Sequence, residues 1–135
     1  MFAVLCCIRI KREDELSNKI IGLAIEVHRH LGPGLLESAY EECLCQELTL
    51  NGIVYERQKP LPIVYKGVKL DCGYRLDIVV KKLVIIELKA IEQIAPIHQA
   101  QLLTYLKLSN LKSGMIINFN VPMLKFGIKR IANNL

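Results

Sequence analysis

Gly73-Tyr74-Arg75-Leu76-Asp77-Ile78-Val79-Val80, followed by Leu83-Val84-Ile85-Ile86-Glu87-Leu88-Lys89, is the part of the sequence that decides the fold. Both segments have the β-branched, apolar composition of buried strands. Asp77 interrupts the first segment, and Glu87 and Lys89 interrupt the second. Because side chains alternate between the two faces of a strand, Glu87 and Lys89 project from the same face. Charged groups among apolar neighbours are costly unless they serve each other or a ligand, so we expect a functional site here.

The connection between these strands decides whether Asp77 joins Glu87. A two-residue turn at Lys81 and Lys82 would pair Asp77 with Ile86, and the Asp77 side chain would then point away from Glu87. A connection that is one residue longer, or a bulge, would pair Asp77 with Glu87 on one face. Two-residue hairpins favour Asn-Gly and similar pairs, which are missing at this turn. The sequence therefore predicts the second register.

Asp77, Glu87 and Lys89 fit a site for a hard cation with a basic helper. Mg²⁺ and Mn²⁺ bind carboxylate oxygens, keep several waters and accept phosphate oxygens. Such a cation polarises a phosphodiester and lowers the pKa of a bound water, and a nearby lysine orients that water or offsets developing charge. An isolated Glu-x-Lys pair is more often a solvated face or a cross-strand ion pair. The apolar flanks at residues 84–86 and at Leu88 weaken that alternative.

Two helices are predicted before the strands. The first opens with the acidic residues 13–15 and ends at Gly32-Pro33-Gly34, and the second covers about residues 35–50. Glu37 lies on the Tyr40 side of the second helix, at the border of its apolar stripe. The glutamates Glu41, Glu42 and Glu47 are interpreted as solvated. The predicted inward positions are Leu16, Ile20, Leu23, Ala24, Val27 and Leu31 in the first helix, and Leu36, Tyr40, Cys43, Leu44 and Leu48 in the second.

From Ile53 onward the apolar period changes to two, which predicts strand segments around Lys59-Pro60, a turn at Lys66-Gly67 and a bulge or bend at Gly73. A crossover helix over residues 95–108 and a short buried strand over residues 113–120 follow. The tail, residues 126–131, forms a last strand or a helical turn. This order predicts an α/β fold in which helices flank a mixed central sheet.

The crossover helix carries a polar ridge. His98, Gln101 and Tyr105 stand at i, i+3 and i+7, so they share one helix face. Taken alone, this ridge is more often a partly exposed helix face than a site. If it borders the carboxylates, Gln101 and Tyr105 contact a phosphate or a base, and His98 lies at the rim. His28 and His30 suit the carbonyl end of the first helix instead.

Composition limits the alternatives. The chain has 135 residues, 52% of them hydrophobic and 23% charged, as is typical of one folded domain. We expect that domain at residues 13–135. Residues 1–12 form an extension that is an extra strand or sequence upstream of the natural start, and it is too short to span a membrane. The net charge of +5 mildly favours a polyanionic partner. Five cysteines without zinc or haem spacing indicate reduced, buried thiols and a cytoplasmic location.

Four of these motifs, in this order, resemble a known family. Gly34-Leu35-Leu36-Glu37-Ser38-Ala39-Tyr40 matches the GxxExxY signature for which a group of small prokaryotic proteins is named. That group is placed in the PD-(D/E)xK nuclease superfamily. The resemblance covers about residues 16–131 and includes residues 74–77, 87–89 and 98–105. Gln101 and Tyr105 are similar to the QxxxY motif of RecB-type exonucleases.

The resemblance implies a restriction-endonuclease-like core with the order α-β-β-β-α-β. It also implies that Asp77 and Glu87 are metal ligands, that Lys89 is the catalytic lysine, and that Glu37 completes the metal site. The chain departs from many members in having Leu76 where they have proline, and it lacks the four cysteines that hold an iron–sulfur cluster in some relatives.

The leading hypothesis from the sequence is a Mg²⁺- or Mn²⁺-dependent nuclease that acts on DNA in preference to RNA. The alternative is a nuclease-like module that binds nucleic acid or a protein without cutting. A weaker third hypothesis makes Asp77 and Lys89 a structural ion pair in a protein-binding domain. Little of the chain lies outside the core, so a homodimer or a protein partner is one way to complete a duplex-binding surface.

Overall fold

The computed structural model describes residues 2–134, with side chains from residue 12 onward. Helices and strands follow in the predicted order, with two helices, a run of strands, a crossover helix and closing strands. Their bounds are α1 (Phe2–Leu31), α2 (Glu37–Leu50), β1 (Tyr55–Pro60), β2 (Ile63–Tyr65), β3 (Val68–Leu70), β4 (Arg75–Val80), β5 (Val84–Lys89), α3 (Pro96–Ser109), β6 (Ser113–Asn118), a 3₁₀ helix (Leu124–Gly127) and β7 (Ile128–Ala132).

The central sheet has five strands in the order β1-β4-β5-β6-β7. Strands β1, β4 and β5 are antiparallel to one another, β6 lies parallel to β5 after the α3 crossover, and β7 is antiparallel to β6. A parallel neighbour requires a crossover of this kind, because a tight turn can join only antiparallel strands. The predicted mixed sheet flanked by helices is confirmed, and it has the α-β-β-β-α-β core.

Each face of the sheet packs against its own helical layer. On one face, α1 and α2 contribute Ile20 and Leu44 to a cluster with Ile86 of β5. On the other face, α3 contributes Leu106 to a cluster with Ile85. Ile85 and Ile86 are consecutive, so their separation follows from the alternation of a strand that is covered on both faces.

The register between β4 and β5 is the one that the turn sequence predicted. Val80 pairs with Val84, and Ile78 pairs with Ile86. The Leu83 amide donates to the Val80 carbonyl at 2.9 Å, around Lys81 and Lys82 with φ of 51° and 55°. A two-residue loop would have paired Val80 with Leu83, so Leu83 is one extra residue on the β5 side. This extra residue moves Asp77 opposite Glu87.

The helices differ from the prediction at their ends. Helix α1 begins at Phe2 and not at residue 13, so the described part of the extension continues the helix and is not an extra strand. Helix α2 begins at Glu37. Leu36, predicted to face inward, is 78% exposed because it precedes the helix, and Leu31 at the end of α1 is also exposed. Within residues 2–134, no helix combines the length and the apolar character needed to cross a membrane.

Three further predictions are refined or corrected. Strands β2 and β3 do not join the central sheet but form a separate two-stranded hairpin. The tail contains both proposed elements, since a 3₁₀ helix leads into β7. Cys72 is exposed, contrary to the expectation of buried thiols, because it lies in the loop between β3 and β4; Cys45 is buried as expected. The side chains of Cys6 and Cys7 lie outside the described residues.

Candidate active site

Asp77 and Glu87 meet where the regular pairing of β4 with β5 stops, one position beyond Ile78 and Ile86. The amide N–H of Asp77 donates to Oε1 of Glu87 at 3.3 Å. The amide N–H of Leu88 donates to Oδ2 of Asp77 at 2.8 Å. The two carboxylates thus accept hydrogen bonds from both strands, and these bonds hold them side by side.

The side chains of strand β4 exchange faces of the sheet at Asp77. Leu76 packs in the cluster under α3, whereas Ile78 packs in the cluster under α1 and α2. Residues two apart in a regular strand share a face, so the alternation of faces breaks between Leu76 and Ile78. Asp77 therefore lies within reach of groups from both helical layers.

Burial and neighbouring negative charges disturb the titration of both carboxyl groups. Glu87 is 8% exposed. Its burial, followed by the charge of Asp77, raises the pKa of Glu87 to about 8, although Lys89 opposes the shift. The pKa of Asp77 is also raised, chiefly by burial and then by the charges of Glu41 and Glu37, against the hydrogen bond from Leu88. Both carboxyl groups therefore resist ionisation. A cation bound beside them would stabilise their charged forms.

Gln58 and Glu41 belong to the surroundings of Asp77, and the sequence did not identify either of them. The Gln58 amide donates to Oε1 of Glu41 at 2.6 Å and to Oδ1 of Asp77 at 3.4 Å. Gln58 lies opposite Asp77 in β1, with φ of 50°. The prediction that Glu41 is solvated is wrong, because it is 8% exposed and accepts from Nε of Arg57 at 2.7 Å.

One sequence signal pointed toward Glu41. It follows Glu37 by four residues, so the two glutamates share a face of α2. The charges of both raise the pKa of Asp77, which places both on the side of the helix that faces the site. Of the other two glutamates of this group, Glu42 is exposed as predicted and pairs with Arg57 at the surface, whereas Glu47 is half-buried.

Lys89 and Glu37 border the carboxylate pair. Among the described side chains Lys89 makes no ion pair, yet its positive charge lowers the pKa of Glu87. Lys89 also pairs with Asn118 in the parallel ladder. Glu37, the first residue of α2, accepts a hydrogen bond of 3.4 Å from the amide of Ala90, which follows Lys89. Both predicted residues thus lie at the end of β5 where the site is.

The loop after β5 is fixed by Asn118, a residue that the sequence analysis did not single out. Asn118 is buried at the end of β6. Its Oδ1 accepts from the Ile91 amide at 3.1 Å, and its Nδ2 donates to the Ile91 carbonyl at 2.9 Å. These two bonds hold the chain that follows Lys89, so they restrain the lysine side of the site.

The segment from Gly34 to Tyr40 positions Glu37. Tyr40 is fully buried and stacks on Phe119, with ring centroids 4.3 Å apart. Its hydroxyl donates to the Gly32 carbonyl at 2.6 Å and accepts from the Leu35 amide at 3.1 Å. Gly34 has φ of 101°, a conformation that glycine adopts without strain. The tyrosine thus ties the α1–α2 connection, from which Glu37 starts the second helix.

The polar ridge of α3 lines one pocket. His98, Gln101 and Tyr105 share that pocket with Tyr74. Burial, followed by the charge of Glu87, raises the pKa of Tyr105, and a hydrogen bond with Gln101 opposes the rise. His98 has a further task at the helix start, where its Nδ1 accepts from the Ala95 amide at 2.9 Å.

The donor set fits a hard cation in its chemistry. Asp77 and Glu87 supply carboxylate oxygens, and Mg²⁺ commonly takes one or two carboxylates and completes its shell with water and phosphate oxygens. Across the part of the chain whose side chains are described, no group of three or more His, Cys, Asp or Glu side chains lies close enough to hold a metal ion. Asp77 and Glu87 are therefore the two candidate ligands. Glu37 does not form a three-residue metal-binding group with them.

Comparison with known proteins identifies the family. The sequence profile of the PD-(D/E)XK nuclease superfamily matches residues 14–131, which include α2, the carboxylate pair, Lys89 and α3. Neither the curated proteins nor the solved structures that were searched contain a match. The profile covers most of the sequence, and the fold agrees with it. The chain belongs to the PD-(D/E)XK nuclease superfamily.

Proposed function

We propose that the protein is a metal-dependent nuclease that hydrolyses phosphodiester bonds, in DNA in preference to RNA. One observation carries the proposal. Asp77 and Glu87 lie opposite each other, hydrogen-bond to each other's strands, and both have a raised pKa. A desolvated carboxylate pair beside a lysine is an arrangement suited to a divalent cation and a phosphate, and superfamily membership implies a nucleic acid substrate.

Asp77 and Glu87 would hold Mg²⁺ or Mn²⁺, with Glu37 outside the two ligands. The cation, when bound, lowers the pKa of its water and polarises the phosphodiester. Asp77 keeps one oxygen engaged with Leu88, and Glu87 keeps one engaged with the Asp77 amide, so each carboxylate is oriented before a ligand arrives. Gln58 contributes to the same orientation of Asp77.

Lys89 would position the attacking water and offset the negative charge that develops on the phosphate. Its place on the same strand face as Glu87, two residues along β5, supports this role. Gln101 and Tyr105 would contact the substrate from α3, with His98 at the rim of their pocket.

Within the superfamily, we place the chain in the GxxExxY group, with the QxxxY motif of RecB-type exonucleases on α3. The contacts of Tyr40 and Glu37 and the backbone conformation of Gly34 support the first of these placements. We further propose a cytoplasmic location, a single domain at residues 13–135, and a homodimer or a protein partner that extends the surface for nucleic acid.

Cleavage assays test the proposal. Purified protein with Mg²⁺ or Mn²⁺ should cut fluorescent single- or double-stranded DNA or RNA, and chelation should stop the reaction. Asp77→Asn and Lys89→Ala should each lower the rate by about 10²-fold or more, since removal of one group that stabilises transition-state charge commonly costs 10²–10³-fold. Asp71→Asn is the matched control, because the Asp71 side chain is exposed and lies outside the site.

The result that overturns the proposal is an absence of metal-dependent cleavage on all four substrates, with Asp77→Asn indistinguishable from the wild type. If the protein then still binds DNA in a salt-dependent manner that ignores chelator and Lys89→Ala, the non-catalytic binding module takes its place.

A further inference from the structure

A pocket of about 410 Å³ lies between α3 and the segment before β4. Its volume lies within the range of ligand-binding pockets. Tyr74 joins the pocket to the site, since it lines the pocket directly before β4 and lies three residues before Asp77 in the chain. The residues that give the pocket its chemistry are Ile63, Tyr74, His98, Gln101, Thr104 and Tyr105.

Two tyrosine rings form one wall of the pocket, and hydrogen bonds hold the backbone of one of these tyrosines. The rings of Tyr74 and Tyr105 lie 6.1 Å apart at an angle of 57°. The Tyr105 side chain is buried in the cluster between α3 and the sheet, whereas Tyr74 is 43% exposed. The Tyr74 carbonyl accepts from the Leu61 amide at 3.0 Å and from Arg75 at 2.9 Å. Because its backbone is held, the exposed Tyr74 ring offers a stacking surface without much loss of freedom on binding.

The polar groups of the pocket are uncharged. None of the described residues that line it is a lysine or an arginine, the residues that usually bind phosphate. Nδ1 of His98 accepts a hydrogen bond from the Ala95 amide, so Nε2 is the ring nitrogen left to donate to a ligand. Gln101 and Thr104 add amide and hydroxyl groups. An aromatic face with neutral donors and acceptors fits a flat, neutral, polar-edged ring and not a phosphate.

We infer that this pocket binds an unpaired nucleobase of the substrate strand, next to the phosphodiester at Asp77 and Glu87. The inference rests on the proposed function and narrows its substrate to nucleic acid with single-stranded character. A base inside a duplex is stacked on both faces and paired along its edge, so it cannot enter such a pocket without leaving the helix. Stacking on tyrosine is available to every base, so no strong sequence preference is expected.

A base-deletion experiment tests the inference without cleavage. Fluorescence anisotropy in chelator measures the affinity for a short single-stranded oligonucleotide and for the same strand with abasic positions. Wild type should bind the strand with bases about 5- to 150-fold more tightly, which corresponds to the usual worth of one stacked base. Tyr74→Ala should remove that preference. DNA and RNA versions of the strand distinguish the two sources of the base.

Two control variants separate stacking from folding. Tyr74→Phe keeps the ring and should retain the preference for bases. Tyr65→Ala removes another exposed tyrosine, which lies on the β2–β3 hairpin outside the pocket, and should also retain it. The inference is overturned if wild type binds the abasic strand equally well, if it prefers a blunt duplex, or if Tyr74→Ala keeps the preference while its circular dichroism matches wild type.

The results that would remove the base pocket differ from the results that would remove the nuclease activity. Metal-dependent cleavage that is equal for single strands and blunt duplexes, and unaffected by Tyr74→Ala, would leave the nuclease and remove the base pocket. Base-dependent binding without metal-dependent cleavage would leave the pocket and remove the nuclease.

Discussion

The Asp77 amide nitrogen lies 3.3 Å from Oε1 of Glu87, so a side chain of one strand bonds the backbone of the other where their regular pairing ends. In return, the Asp77 carboxylate accepts from the Leu88 amide. The backbone groups that would otherwise extend the sheet thus hold the two carboxylates in place. Burial of these carboxylates, together with nearby negative charge, favours a bound proton or cation over two free charges, and this preference is the basis of the first two predictions.

The stability of the metal-free protein should fall as pH rises through neutrality. The pKa of Glu87 is raised to about 8 by burial. Between the ordinary glutamate pKa near 4.5 and this value, the folded state binds one proton more than the unfolded state, so the free energy of unfolding decreases with pH, by at most about 1.4 kcal/mol per pH unit. Below this window the stabilisation is fully present, and above about pH 8 it is lost. Urea unfolding in chelator between pH 5 and pH 9 measures the slope.

Glu87→Gln should remove most of that slope, because the amide does not titrate. Glu92→Gln, which alters an exposed glutamate in the loop after β5, should preserve it. A wild-type free energy of unfolding that is flat or rising over this range would contradict the assignment of a raised pKa to Glu87.

Divalent cations should stabilise the wild type and not Asp77→Asn. A ligand that binds only the folded state at 100 times its dissociation constant adds about 2.7 kcal/mol. The gain should be larger at pH 8.5 than at pH 6, since the cation must displace the proton that the raised pKa of Glu87 retains. Thermal-shift titrations with Mg²⁺ and Mn²⁺ measure it. Asp71→Asn should respond like wild type, and an equal response from Asp77→Asn would argue against a metal site at this pair.

At Gln58, glycine should be tolerated better than alanine. Gln58 has φ of 50°, a conformation that costs a residue with a Cβ atom about 1–2 kcal/mol. Both substitutions remove the amide that joins Glu41 to Asp77, so that loss cancels in their comparison. After the greater unfolded-state freedom of glycine is subtracted, Gln58→Gly should be about 0.5–1 kcal/mol more stable than Gln58→Ala. Urea unfolding of the two variants decides the sign, and a more stable Gln58→Ala would show that the strain is absent.

Removal of the Tyr40 hydroxyl should lower the free energy of unfolding more than removal of the hydroxyl of the exposed Tyr65. Tyr40→Phe keeps the stack on Phe119 but leaves the Gly32 carbonyl and the Leu35 amide without their partner. The loss should be about 1–3 kcal/mol of unfolding free energy. Tyr65→Phe, on the exposed hairpin, should change it by less than about 0.5 kcal/mol. Equal effects in denaturant titrations would mean that the Tyr40 hydroxyl does not tie the α1–α2 connection.

The parts of this protein that could be predicted are those that depend on local pattern. The apolar runs at β4 and β5 identified buried strands, and the missing Asn-Gly pair indicated a connection with one extra residue, which the structure contains as Leu83. The i, i+3, i+7 spacing of His98, Gln101 and Tyr105 predicted that they share one helix face, and that face lines a pocket. Periodicity and turn chemistry act between residues close in sequence, so they can be read without the tertiary structure.

Other features depend on which elements become neighbours, and the sequence alone did not reveal them. Glu41 is buried because Arg57 and Gln58 of β1 pack against its helix, sixteen and seventeen residues later in the chain. Asn118 supports the loop after Lys89 from a different strand, and the Tyr74 ring, just before β4, lies 6.1 Å from the Tyr105 ring of α3. The sequence by itself determined the strands, the register and the charged residues of the site. The tertiary structure decided the surroundings of those charges, because desolvation and hydrogen bonding depend on distant segments that only folding brings together.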